Sequence, residues 1–336
     1  MMLFLVKVAV SLAAFGAGAG YGAYAAGSPI DQQAMRALAV EARAVPLDRR
    51  DPARDTVGRL RYLGGLALTA PDQAFGGISS LFFEAECGRL LGVTDNGSWI
   101  ALEPDERDGR LVGVRAGWIA ALRDEKGEPP PSKREADAEA VTRDPKTGEA
   151  LVWFELDHRV QRYADVTACR PETFDSPARA VERPVAIRHW PANGGVEAAA
   201  PHGEEVLVLS ERAEVAPGWH EGLLFSGTAS RPIRYPATDG FEATGLAELE
   251  PGLHILVARR FSLMRGVAAR VSLFRLGADG RAQLDELARL APPLAVDNME
   301  GIAARREGGR NVIYLVSDDN FNPLQRTLLL KFEILP

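Results

Sequence analysis

Cysteine and histidine are scarce in this chain of 336 residues: two of the first, Cys87 and Cys169, and five of the second. Two cysteines alone make no zinc site, and no two histidines stand at a ligand spacing, which argues against a transition-metal centre. No Gly-x-Ser-x-Gly nucleophile elbow occurs, and Gly77-Ile78-Ser79-Ser80 is not one. There is no His-Glu-x-x-His motif and no phosphate-binding glycine loop. Positive charge is in deficit, with 39 Lys and Arg against 46 Asp and Glu and a net charge of −7. Such a chain carries no electrostatic footprint for nucleic acid and is repelled by anionic lipid. No linker-like stretch divides the sequence, so two separate domains are not supported.

Apolar residues make up 46% of the chain, enough for a packed body, and the 33 Gly and 22 Pro suit many short strands joined by tight turns. The first residues differ in kind. Lys7 precedes an apolar run from Val8 to Phe15, and Ala23-Tyr24-Ala25 is a small-x-small cleavage signal. Residues 1–25 therefore read as a secretory signal peptide, cut near Ala25 or Ala26, leading to the periplasm or outside the cell. An uncleaved anchor is the alternative, but a stretch so rich in Gly and Ala makes a poor span, so no stable membrane span is expected after cleavage. No Arg-Arg pair marks a twin-arginine route. Cleavage removes only Lys7 among charged residues and takes the net charge from −7 to −8. Residues 26–56 read as a leader or linker, with a short helix or loose coil over Gln32–Leu38.

From about Val57 the chain repeats. Five times a short apolar strand opens with a polar residue, at Ile78-Ser79-Ser80-Leu81, Ala138-Glu139-Ala140-Val141, Val196-Glu197-Ala198-Ala199, Ala243-Thr244-Gly245-Leu246 and Met299-Glu300-Gly301-Ile302. The first positions lie 60, 58, 47 and 56 residues apart, the period of a β-propeller blade. A second apolar strand follows each, ending at Asp95, Glu155, Glu211, Arg259 and Asp318. The fold class is all-β, a single propeller over 57–336 with five blades, a sixth hidden by divergence being the alternative. Repeat five has three strands before Pro336. The N-terminal strands over Arg59–Leu68 supply the fourth and close the ring, which leaves only short protected edges. In repeat two, Asp144-Pro145-Lys146-Thr147-Gly148 reads as a type I turn. Residues 128–133, with three consecutive prolines, read as an exposed loop beside the mouth. Cys87 and Cys169 fall on neighbouring blades, on the face opposite the acids. Export into an oxidising compartment leaves a disulfide open if the Cα atoms come within roughly 7 Å. Two buried thiols are the alternative.

The start of one strand and the end of its antiparallel neighbour share one end of a blade. Seven carboxylates then converge on one mouth: Asp95, Glu139, Glu155, Glu197, Glu211, Glu300 and Asp318. Crowded like charges raise each other's pKa. A hard cation with about six to eight oxygen ligands, Ca²⁺, would relieve this, as would ion pairs to Arg212 and Arg259. In repeat four Thr244 and Ala258 stand in place of both acids, followed by Arg259-Arg260. The candidate metal ligands are Asp95, Glu155, Glu197, Glu211, Asp318 and Asp319. Glu139, Glu300, Arg212 and Arg259 are the catalytic candidates. Loops after the second strands add Asn96, and His158, His220, Arg260, Asn320 and Gln325 as candidate substrate contacts. The plainer alternative is that these acids cap backbone donors and order water in the channel.

The chain resembles the phytase-like family, "esterase-like activity of phytase". The likeness is carried by Gly76-Gly77-Ile78-Ser79-Ser80-Leu81 with Val93-Thr94-Asp95-Asn96-Gly97-Ser98-Trp99, by Asp137-Ala138-Glu139-Ala140-Val141, and by Gly195-Val196-Glu197-Ala198. Its clearest part is Asp297-Asn298-Met299-Glu300-Gly301-Ile302 with Leu315-Val316-Ser317-Asp318-Asp319-Asn320-Phe321 and Gln325-Arg326-Thr327. One departure is Val257-Ala258-Arg259-Arg260-Phe261, where the family pattern leads one to expect an acid before the arginine. The resemblance implies an exported propeller hydrolysing esters or phosphoesters. The resulting expectation is a monomer acting on a small-molecule ester or phosphoester with Ca²⁺. A metal-dependent lactonase like the regucalcin and gluconolactonase propellers, and a non-catalytic envelope binding propeller, are the other readings.

Overall fold

A computed structural model describes residues 30–262, 264 and 266–336. The expected signal segment, residues 1–25, lies outside the described residues. Five antiparallel sheets stand in chain order, each running outward from its innermost strand. Blade one is Ile78–Glu84, Arg89–Thr94, Ser98–Arg107 and Arg110–Ala121. Blade two is Ala138–Arg143, Ala150–Phe154, Arg159–Tyr163 and Ala180–Glu182. Blade three is Val196–His202, Glu205–Ala216, Trp219–Ser226 and Ala229–Pro236. Blade four is Glu242–Glu250, Leu253–Ser262, Gly266–Leu276 and Ala282–Leu290. Blade five is Asn298–Glu307, Arg310–Asp318 and Thr327–Ile334, and its fourth strand is the N-terminal Leu60–Thr69. The ring is thus five-bladed and closed by the strand expected to close it.

The inner strands touch one another in the order one, two, three, four, five, one. The second strands are apolar on both sides, as in Leu90-Leu91 or Leu207-Val208-Leu209, because each faces a neighbouring blade on either side. Five apolar clusters result, one per blade interface, with a small extra one around Phe241. The turn at Asp144 forms as expected: its Oδ1 accepts from the Lys146 and Thr147 amides, and Gly148 takes φ +75°.

Two expectations need correction. The segment before Val57 holds strands where a helix or loose leader was expected. Arg36–Leu38 adds a fifth strand to blade one and Glu41–Ala44 a fifth to blade five. An outer blade edge offers unpaired backbone groups, and pairing with them outweighs the weak helical propensity of an Ala-rich segment. Asp31 is buried there, accepting from Ser98 Oγ at 3.1 Å and pairing with Arg36. The Pro-rich loop is also less exposed than expected. Pro130 packs over Gly97, and the helix Lys133–Ala136 that follows turns Lys133 inward. Cys87 and Cys169 form a disulfide with Cα atoms 5.5 Å apart, joining blades one and two.

Candidate active site

Every inner strand breaks its register at its polar residue. Pairing to the second strand skips from Ile78 to Ser80, from Ala138 to Ala140, from Val196 to Ala198, from Ala243 to Gly245 and from Met299 to Gly301. Ser79, Glu139, Glu197, Thr244 and Glu300 are each the extra residue of a β-bulge, which frees the side chain from the pleat and re-aims it. That explains how a carboxylate sits in an otherwise apolar inner strand.

The same register fixes the equivalent residues on the second strands. Thr94, Phe154, Ser210, Ala258 and Ser317 pair with the residue before each bulge. The next positions are therefore Asp95, Glu155, Glu211, Arg259 and Asp318. The equivalent of the acids in repeat four is thus Arg259, and Ala258 replaces none of them. An arginine stands where four blades carry a carboxylate.

All seven expected carboxylates, Asp95, Glu139, Glu155, Glu197, Glu211, Glu300 and Asp318, line one cavity of ≈ 40 Å³, with Arg259, Asn193 and Asn320. All seven are buried. For Asp95, Glu139, Glu197, Glu211, Glu300 and Asp318 burial is the first cause of a raised pKa, with the neighbouring carboxylates second or later, so crowding is the lesser cause. Glu139, Glu197 and Asp318 are pushed well above the usual carboxylate range. Burial also raises Asp95 and Glu300, against the pull of Lys133 on the first and Arg259 on the second. Glu211 is pushed up to about 8 by burial despite Arg259. Arg259 reaches Glu211 Oε1 and Glu300 Oε1, each at 3.3 Å, and donates to Asn298 Oδ1 at 2.6 Å. Arg212 lies at the rim, bridging Glu211 at 3.1 Å and Glu242 at 3.0 Å.

Three acids stand apart as a donor set. Asp137, Glu139 and Glu155 each offer an oxygen, and the three oxygens lie within 4.8 Å of one another. Glu155 Oε1 accepts from the backbone amides of Gly194 and Gly195, which orients its other oxygen. Asp137 Oδ1 is 2.7 Å from the Lys133 ammonium, while its buried Oδ2 has no hydrogen-bond partner among the described residues. Burial pushes Asp137 up to about 7. A buried carboxylate oxygen without a donor, on one of three clustered acids, fits a hard cation that takes oxygen ligands.

Several expected residues lie elsewhere. Asp319 accepts from the Gly77 and Phe321 amides and from Thr327 Oγ1, so it shapes the loop. Asn96 is buried among Thr94, Ser98 and Ala74. His158 contacts the carbonyls of Trp190 and Pro191 and packs beneath Gly195. His220 leans on Tyr235, Arg260 covers the Phe241 ring, and Gln325 bonds Asn322 within its loop. None of His158, His220, Arg260 and Gln325 lines the cavity; Asn320 does. Missing from the expected set were Asp137, Asn193, Asn298 and Lys133. A Lys four residues before an Asp on a helical turn was the signal for the last. Glycine is required at 77: φ is +59°, and a Cβ there would lie 2.0 Å from Asp95 Oδ1.

A five-bladed propeller with an acid-lined end to its channel and one arginine in the ring is the class of protein these observations define. The chain belongs to the phytase-like family, described as esterase-like activity of phytase, whose model matches residues 73–321. No protein of curated function matches it. Among solved structures, a PQQ-bound aldose sugar dehydrogenase from Streptomyces coelicolor is similar at 13% identity and TM-score 0.45, over 83% of this chain and 99% of that one. An α-L-arabinofuranosidase from Podospora anserina is similar at 12% and 0.48, over 90% and 98%. A gluconolactonase from Xanthomonas campestris is similar at 12% and 0.41, over 87% and 90%. At these scores they say nothing of this chain's chemistry.

Proposed function

We propose that this protein is an exported hydrolase of a small ester or phosphoester, acting at the acid-lined end of the channel with Ca²⁺ as its cation. The observation that carries this reading is the polarity of the ring: Asp137, Glu139 and Glu155 share a place for one ion, and Arg259 replaces the fifth acid. When bound, such a cation polarises the substrate and lowers the pKa of a bound water. Arg259, with Arg212 at the rim, steadies developing negative charge. Glu300, oriented by Arg259 and by the Asn298 amide at 2.8 Å, is the general base; burial raises its pKa against the pull of Arg259. The cavity at the ring has room for an ion and little more. Export is supported by the leader composition and by the Cys87–Cys169 disulfide. Among the described residues no helix is long and apolar enough to cross a membrane.

The test is a panel of phosphoesters and short acyl esters offered to purified protein with Ca²⁺ and with chelator. Turnover that chelator removes and Ca²⁺ restores is expected; no turnover of any member overturns the reading. Glu300→Gln should abolish turnover, whereas in a binding propeller it would merely weaken a ligand. The second reading, a metal-dependent lactonase, is favoured by Asn193 and Asn320 lining the cavity beside Glu300 and Asp318. Opening of sugar lactones under metal titration separates the two.

A further inference from the structure

The donor set at Asp137, Glu139 and Glu155 is already approached by a cation of the chain's own. Lys133 opens the short helix Lys133–Ala136. Its ammonium donates to Asp95 Oδ2 at 2.7 Å and to the Asp95 carbonyl at 2.6 Å, and lies 2.7 Å from Asp137 Oδ1. Three partners match its three donors. Its charge is thus met by carboxylate oxygens of both Asp95 and Asp137, each at 2.7 Å. Asp137 is fully buried, and its second oxygen has no hydrogen-bond partner among the described residues. One carboxylate of the donor set is therefore held by Lys133 on Oδ1 and left without a donor on Oδ2.

We infer that Lys133 sets the affinity of the cation site: it is a tethered counter-ion that competes with the divalent cation for Asp137. The inference rests on the cation-assisted reading above. Two positive ions sharing one carboxylate repel each other across a few ångströms, and a buried site screens that repulsion poorly. Lys133 can also leave. Its side chain keeps 24% of its exposure, its stem is flexible, and its helix has four residues at the end of the Pro-rich arm. Arg259, by contrast, is anchored on a long strand and touches Glu211 and Glu300 rather than the donor set. Arg259 and Lys133 thus have different duties, the first fixed and the second exchangeable.

Calorimetric titration of Ca²⁺ into the full chain tests this with two variants. Lys133→Met keeps the stem and removes the charge, and should bind Ca²⁺ tighter by about tenfold or more. Lys133→Arg keeps the charge and should leave the affinity unchanged. If wild type binds but Lys133→Met binds equally or more weakly, the competition is refuted while the hydrolase reading stands. If none of the three binds Ca²⁺, both the competition and the cation part of that reading fall. Hydrogen exchange on the wild type gives an answer even if Lys133→Met fails to fold. The amides of Glu135 and Ala136 both bond the Ser132 carbonyl. Saturating Ca²⁺ should speed their exchange as the helix is released, and unchanged or slower exchange overturns the inference.

Discussion

Two buried charge clusters in this molecule obey opposite rules. Between blades five and one, Lys331 is fully buried and lies 3.0 Å from both Glu106 and Glu307. Arg305 reaches the same two carboxylates at 2.6 and 2.7 Å, and the Tyr314 hydroxyl donates to Glu106. Two cations meet both acids, and Arg310 reaches Glu307 as well, at 3.6 Å. Burial would raise Glu307, but Arg305 and Lys331 outweigh it and hold its carboxyl below the usual range. At the channel end eight acids, Asp137 and the seven of the cavity, face Lys133, Arg212 and Arg259 among the described residues. There Glu211 is driven up to about 8 although two arginines touch it. A cluster that serves stability balances its charge; one left unbalanced holds energy that a ligand can release.

The comparison breaks most visibly under charge removal. Lys331→Met leaves the half-buried Glu106 and Glu307 with one cation fewer and should cost about 1–3 kcal/mol in denaturant unfolding. Glu139→Gln removes a charge from the other cluster and should do the reverse. In calcium-free buffer at pH 8 it should raise stability by about 1–3 kcal/mol while abolishing Ca²⁺ binding and turnover. Loss of stability in Glu139→Gln would show that the ring acids are structural after all.

How much of this was legible follows from where each residue gets its direction. The five bulge positions could be read because a lone polar residue in an apolar strand has few places to go, and the repeat supplied five copies of the same sentence. Convergence of the seven acids followed from strand pairing alone. Ala258 was read as replacing an acid although Arg259 already stood at the strand end, because sequence spacing does not reveal which second-strand residue pairs with the one before the bulge. His158, His220, Arg260 and Gln325 failed for another reason. They follow the strands, where alternation no longer fixes which way a side chain points. The strand Arg36–Leu38 was illegible locally, since its partner lies some eighty residues on, at Gly117–Ile119. Lys133 depends on the packing of Pro130 over Gly97, again a contact between distant segments.

The smaller effects sharpen the contrast. Glu211 is expected at about 8 when folded against an ordinary value of 4.5. Between those values the unfolded chain loses this proton while the folded chain keeps it, so stability is full below pH 4.5 and falls as pH rises through 8. In calcium-free buffer the melting curves of the wild type should lose about 1 kcal/mol per pH unit over that window from this group. Arg259→Met should carry the loss to higher pH, because the arginine is what restrains Glu211, and a flat profile from pH 5 to 8 would remove the case for stored charge.

Thr244 is the smallest probe and the cleanest. It occupies the bulge position that carries glutamate on three blades, yet its Oγ1 donates to the Met299 carbonyl at 2.9 Å and so binds blade four to blade five. Thr244→Val should therefore cost about 1 kcal/mol of stability and leave Ca²⁺ affinity and turnover as they were. Thr244→Glu would place a further acid beside Glu300 and within reach of Arg259, giving glutamate to four of the five bulges and leaving only Ser79 without a charge. If the break in the acid ring at blade four is what gives the site its polarity, Thr244→Glu folds but loses turnover without losing Ca²⁺. Retained turnover would mean that Arg259 alone, and not the missing acid beside it, makes the ring lopsided.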